Sequence, residues 1–338
     1  MKTTAIIGMG VLGRLHAQNL KKIRGVKLVA VCEKNFDFKS KHSNTLMKSI
    51  GVDFNKVNFF SNSKSMYASE KIDFIINALP TYLHTKYNLQ ALEHNCHVFT
   101  EKPFALNSHE CDIIINKAML MKRTIMVGHC MRFWPGWMEL KTYVDKMEYG
   151  QLKYISLKRS GPSPVSRWFF DRKISGGVLF DLQIHDIDFL NFLFGMPRKV
   201  YSRIQNNKDN SIYIVATNLD YDNTSAVIES GWHGKTTDIF MMNYKAVFEK
   251  TVIKFENEQL LIFNKNKNIY VPVPCLKKKN GYCLELQYFV DCLQQKKRPL
   301  ICTPKSSRDT IRIAEIIQKS AKLGKVQHIT KTKNKGSN

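Results

Sequence analysis

Three stations along the chain carry residue types that could act on one substrate: the run Gly8-Met9-Gly10-Val11-Leu12-Gly13, the triplet Glu101-Lys102-Pro103, and the pair Asp181 and His185. A lysine ammonium can bond a substrate hydroxyl and stabilise the oxygen as it becomes negative, which counts in the transition state. Pro103 keeps the backbone of Lys102 extended or in a turn, so the side chain can be aimed into a cleft. Asp181, His185 and Asp188 stand at i, i+4 and i+7 among Leu179, Leu182, Ile184, Ile187, Leu190 and Phe192, which puts the three polar groups on one face of a helix. A carboxylate one turn from an imidazole orients it and stabilises its protonated form, so His185 suits general acid/base work near neutral pH. A lone lysine is ordinarily solvated surface, and an Asp-His pair is ordinarily a buried hydrogen bond. It is the three stations together that outweigh those bland readings.

The glycine run follows a short apolar stretch, residues 2–8, and opens a helical spacing through Leu15 and Leu20. In that context G-x-G-x-x-G reads as a dinucleotide turn. Gly8 permits the turn, Gly10 lets the backbone approach a pyrophosphate, Gly13 lets helix and strand pack closely, and the helix start offers oriented N–H groups. Gly8, Met9, Gly10, Val11 and Leu12 are therefore the candidate cradle. Glu33 ends the second apolar run about twenty residues beyond Gly13, where a carboxylate accepts both ribose hydroxyls and repels a 2'-phosphate. NAD is favoured over NADP, although Lys34 beside it could serve a phosphate. Leu79, Pro80 and Thr81 end the third run, at the carboxyl end of a strand where an open α/β sheet places its crevice. His84 follows as a helix-start residue near the cofactor, and Glu101 and Lys102 end the next run.

Apolar runs at 2–8, 26–31, 72–79, 97–101 and 124–128 alternate with helical patterns at 14–22, 82–93 and 108–121, with Ser108 as N-cap. Such alternation predicts a doubly wound parallel sheet over residues 1–128. After residue 150 the runs 152–159, 199–205, 211–219, 224–232, 236–243, 246–254 and 259–264 follow one another with few helices between, which predicts an antiparallel sheet. Helices are expected at 177–194 and 283–294. Residues 129–330 form the second domain, a helix at 306–323 packs back on the first, and 331–338 is a basic disordered tail.

A chain of 338 residues fits two domains that each bury a core, and 43% hydrophobic with 24% charged residues is ordinary for a soluble globular protein. No apolar run reaches the length of a membrane span. Residues 3–12 resemble a signal segment only superficially, because two glycines interrupt them and no small-residue cleavage site follows. The eight cysteines are scattered without a C-x-x-C pair, which favours reduced thiols in the cytoplasm over disulfides or a metal site. The net charge of +24 comes mostly from lysine spread along the whole chain, a pattern of solvated faces rather than of a nucleic-acid reader. Lys277-Lys278-Lys279 reads as a loop.

These residues resemble the glucose-fructose oxidoreductase and inositol dehydrogenase family (Gfo/Idh/MocA). The likeness runs from GMGVLG through LPTYLH, HVFTEKPFAL and GHCMRFWP to SGGVLFDLQIHDIDFLNFLFG and GYCLELQYFVDCL, nearly the full length. It implies a Rossmann domain followed by an α+β domain with a large open antiparallel sheet, whose face makes homodimer or homotetramer contacts. It also implies that Lys102 contacts substrate and nicotinamide, that Asp181 and His185 complete the catalytic set, and that Arg132 lies near substrate or nicotinamide. Glu33 replaces the aspartate common at its position, and a third glycine is missing from Ser175-Gly176-Gly177-Val178. Arg167 and Trp168 form a substrate-side loop with Phe169, an aromatic plane for a sugar face and a guanidinium for an anionic group. The expected activity is oxidation of a polyol, sugar or sugar derivative at a secondary alcohol with NAD. The rivals are an NAD-dependent glycosidase and a non-catalytic dinucleotide- or sugar-binding regulator.

Overall fold

Lys2–Ile7 (β1), Phe74–Asn77 (β4) and Ile125–Gly128 (β6) are buried at consecutive positions, from Thr4 onward in β1, because both of their faces are covered, as in a parallel sheet flanked by helices. The computed structural model describes residues 1–34, 51, 56–234, 239–275 and 280–329. Two compact units emerge, Met1–Trp134 with Lys279–Arg308, and Pro135–Lys278 with Asp309–Asn338. Lys277-Lys278-Lys279 and the tail 331–338 lie outside the described residues.

In the first unit, β1 is joined by Val26–Cys32 (β2), Asn58–Phe60 (β3), β4, His97–Glu101 (β5) and β6 in the order β3-β2-β1-β4-β5-β6. All pairings are parallel. The chain moves outward from β1 to β3, then returns to β4 on the other side of β1. The loops after β1 and β4 therefore flank a topological switch point, the place where such sheets hold ligands. Helices Val11–Leu20, Ser63–Ser69, His84–Glu93 and Ser108–Leu120 connect the strands. Asn107 rather than Ser108 caps the last of these, its side chain accepting the Glu110 N–H at 2.9 Å; asparagine is as good an N-cap as serine.

Helix Gly281–Gln294 follows the second unit's strands in the chain but packs in the first unit. Leu286, Phe289, Val290 and Leu293 join Ile6, Val31, Phe74 and Phe99 in one buried cluster. Helix Pro304–Leu323 begins in the first unit, where Ser306 bonds Arg132 and Arg308 bonds Asp112. From Thr310 onward its partners are Asp188, Asn191 and Ser202 of the second unit. Spacing shows which face of this helix is apolar but not which partners meet it.

His97 opens β5, and its Nδ1 accepts the Thr124 N–H at 2.8 Å, which needs an unprotonated nitrogen. Burial pushes its pKa down to about 4, with Arg123 and Lys2 adding to the shift and Asp73 opposing it. A histidine in the unfolded chain titrates near 6.5, roughly. The fold is therefore expected to lose stability as pH falls from that value and to stop losing it on this account below about 4. Thermal melting followed against pH should decline over this window, more steeply for the wild type than for His97→Gln; parallel curves would contradict the assignment.

In the second unit, Leu152–Gly161 (β7), Lys199–Asn206 (β8), Ile212–Asp220 (β9), Ser225–His233 (β10), Met241–Phe248 (β11), Val252–Glu256 (β12), Gln259–Asn264 (β13), Ile269–Val273 (β14) and Gln327–His328 (β15) form one sheet. Its order is β14-β13-β12-β11-β7-β10-β9-β8-β15, antiparallel except for β7 against β10. The runs read at 236–243 and 246–254 are divided differently, because the chain turns at 249–251, where the Phe248 N–H bonds the Thr251 carbonyl. Strand β14 was absent from the sequence reading. Pro272 argues against a central strand, and β14 is an edge, where a proline is tolerated.

Candidate active site

The glycine turn leaves the carboxyl end of β1. Gly8 has φ +95°, and a Cβ there would meet the Ala78 backbone at 2.9 Å, just past β4. A Cβ on Gly13 would lie 1.9 Å from the Gly8 carbonyl, whereas one on Gly10 meets nothing within 4 Å. Two glycines are thus needed for packing, and the third opens onto free space at the start of helix Val11–Leu20. That helix start has no side-chain cap and no acid in its first turn, so its N–H groups suit a phosphate. Val11 is exposed, Leu12 half-buried and Met9 buried. The Met9 N–H donates to Glu33 Oε2 at 2.9 Å, which holds the carboxylate at the end of β2 beside the turn. Leu79 and Pro80 are half-buried at the end of β4, and Asn77 shapes their loop by accepting the Leu79 N–H at 3.3 Å. Thr81 is buried at the start of the next helical turn.

Glu101 and Lys102 leave the carboxyl end of β5, next to β4. Glu101 turns inward: its Oε1 accepts from His16 Nε2 at 2.6 Å, with the two side chains 2% and 0% exposed, and its Oε2 accepts the Lys102 N–H at 3.1 Å. His16 lies on the helix that begins at the glycine turn, so one carboxylate ties that helix to the backbone of Lys102. His84 is likewise buried, its Nδ1 2.8 Å from the Pro103 carbonyl and its Nε2 2.8 Å from the Leu79 carbonyl. Burial pushes its pKa down, while the two carbonyls and Glu101 pull it back up. Arg132 is buried in the turn Cys130–Phe133, donating to the Ile301 carbonyl at 2.7 Å and to Ser306 Oγ at 2.9 Å. Glu101, His84 and Arg132 thus each bond backbone, Glu101 at Lys102, His84 at Pro103 and Leu79, and Arg132 at Ile301.

In the second unit the helical stretch expected at 177–194 is not uniform. Leu179–Gln183 forms a wide π-type turn before the α-helix Ile184–Phe194. Asp181 sits in the wide turn and accepts from Trp232 Nε1 at 3.2 Å, whereas Asp188, farther along, accepts from Thr310 at 2.9 Å. The two carboxylates serve different partners. Wide turns of this kind are frequent at functional sites. His185 is 7% exposed. Its neighbour Asp186 is buried in a two-pronged pair with Arg159 of β7, at 2.8 and 3.1 Å. Arg167 is exposed at the start of the turn Arg167–Phe170, and Trp168 stacks on Phe169 with centroids 4.0 Å apart.

Residues 2–129 match the model of an oxidoreductase family with an NAD-binding Rossmann fold, and residues 137–247 match the GFO/IDH/MocA C-terminal domain. The chain belongs to the GFO/IDH/MocA oxidoreductase family. It is 30% identical over 206 residues to a 2,7-anhydro-N-acetylneuraminate hydratase of Mediterraneibacter gnavus, a match covering 59% of this chain and 52% of that protein. It is 26% identical over 313 residues to the scyllo-inositol 2-dehydrogenase (NAD(+)) of Bacillus subtilis, covering 88% of this chain and 87% of the relative. The crystal structure of myo-inositol 2-dehydrogenase from Lactobacillus plantarum shares the fold with a TM-score of 0.79 at 24% identity, covering 97% of this chain and 99% of that one.

In this GFO/IDH/MocA chain, the carboxyl ends of four parallel strands bring the glycine turn, Glu33, the Leu79–Thr81 loop and Lys102 to one edge of one sheet. His16 and Trp232 were missed by sequence reasoning. His16 stands three residues after Gly13 on the same helix, a local signal that could have found it; nothing local marks Trp232. Among the described residues no cluster of His, Cys, Asp or Glu could hold a metal ion, and no helix is long and apolar enough to cross a membrane.

Proposed function

We propose that this chain is an NAD(H)-dependent dehydrogenase interconverting a secondary alcohol and a ketone on a polyol, sugar or sugar derivative. The observation that carries it is the open space at Gly10 before an uncapped helix start, on the same sheet edge as Lys102. Gly8 to Leu12 would hold the pyrophosphate and Glu33 the ribose hydroxyls, and the bound nicotinamide supplies hydride exchange. The Glu33 carboxylate disfavours a 2'-phosphate, so NAD is preferred over NADP. In the oxidative direction His185 takes the hydroxyl proton, Lys102 stabilises the forming oxyanion, and Asp181 orients His185. The name of the Bacillus relative, a polyol dehydrogenase matched over most of its length, supports the substrate class. All eight cysteines are free thiols, which supports a cytoplasmic setting, and the open sheet of the second unit supports a homodimer or homotetramer.

The test is reduced-nicotinamide absorbance with purified protein, NAD and NADP in parallel, against inositols, aldoses, sugar acids and nucleotide sugars. Reduction of NAD in preference to NADP by at least one of them is expected. The likeness to a hydratase favours a second reading, a redox-neutral reaction at the same site. Product formation without net cofactor reduction would select it.

A further inference from the structure

Trp232 lies near the end of β10 and is 1% exposed. Its indole N–H donates to Asp181 Oδ2 at 3.2 Å. Its ring meets Phe169, Phe170 and Tyr213 edge-on, with centroids 6.2, 5.8 and 6.0 Å away and interplanar angles of 90°, 75° and 87°. Phe169 in turn carries the stacked Trp168. The wide turn that holds Asp181 rests on the same cluster, because a Cβ on Gly177, which has φ +67°, would meet the Tyr213 ring at 2.4 Å. The segment 167–170 and the turn 177–183 are thus packed around a single indole, whose polar handle is spent on the carboxylate.

We propose that Trp232 is a positioning residue that holds the Asp181 carboxylate in place and couples it to the aromatic segment 167–170, where the flat face of a polyol or sugar ring would stack. An indole N–H only donates, so this bond fixes one carboxylate oxygen as its acceptor and sets the orientation of the group. The charged groups around the cluster are Arg172, over the Tyr213 ring at 5.7 Å, and, on the helix following Asp181, His185, Asp188 and Asp186 with its partner Arg159. The inference rests on the roles of Asp181 and His185 proposed above.

Trp232→Phe keeps an aromatic ring against Phe169, Phe170 and Tyr213 and deletes the donor. In the nicotinamide assay kcat should fall about tenfold, the effect of one lost hydrogen bond to a charged group. The substrate KM should stay within about twofold. A change confined to KM, or an unaltered kcat in a mutant of an active enzyme, overturns the proposal. The indole N–H proton resonance of Trp232, assigned with Trp232→Phe, separates this from the functional reading because it needs no turnover. An upfield move of that resonance in Asp181→Ala supports the tie, and an unmoved resonance overturns it.

Discussion

Lys102→Met is expected to lower kcat by about 10²–10³-fold, the range for removing one donor to a developing oxyanion. Methionine is unbranched and fills a similar volume, so the substitution deletes the ammonium with little else. The backbone of residue 102 does not depend on the side chain, because its N–H is held by Glu101 Oε2 at 3.1 Å, and Glu101 is held by His16. NADH binding, read by fluorescence, should therefore stay within about twofold while kcat and kcat/KM fall together, the pattern of an interaction made only in the transition state. Undiminished turnover would remove Lys102 from the mechanism.

His16→Leu should cost about 3–5 kcal/mol of stability, because it leaves the Glu101 carboxylate buried without its closest partner. The pair is almost wholly out of water, at 0% and 2% side-chain exposure, and its contact is 2.6 Å. Water cannot readily replace the imidazole there, since Phe99 stands edge-on to His16 at 5.4 Å and Tyr282 at 6.4 Å. Replacing both partners, His16→Leu with Glu101→Leu, should recover the larger part of the loss, because an apolar pair carries no desolvation penalty. Urea unfolding of the wild type, both single variants and the double variant measures this coupling. Additive losses would show that the two side chains act independently.

The architecture was legible because it rests on local signals. Alternating apolar runs and helical spacings announced the parallel sheet, and the second unit's sheet was foreseen from consecutive strand patterns, apart from the parallel contact of β7 with β10 and the edge strand carrying Pro272. A parallel pair between strands so distant in the chain has no signature in either strand alone. The glycine turn was legible in mechanism too: Gly8 and Gly13 sit where any Cβ would clash, and Gly10 where one would fill open space.

What the sequence determined by itself is therefore the order of elements, the glycine turn and the family, since each depends on residues close together in the chain. Only the tertiary structure decided which polar side chains meet. Glu101 is claimed by His16 across 85 positions, Asp181 by Trp232 across 51, and Asp186 by Arg159 across 27. A period of 3.6 or 2 residues reports the face a side chain occupies. The partner waiting at that face is set by strand order and register, and by local departures from the regular period such as the wide turn at Leu179–Gln183 that holds Asp181.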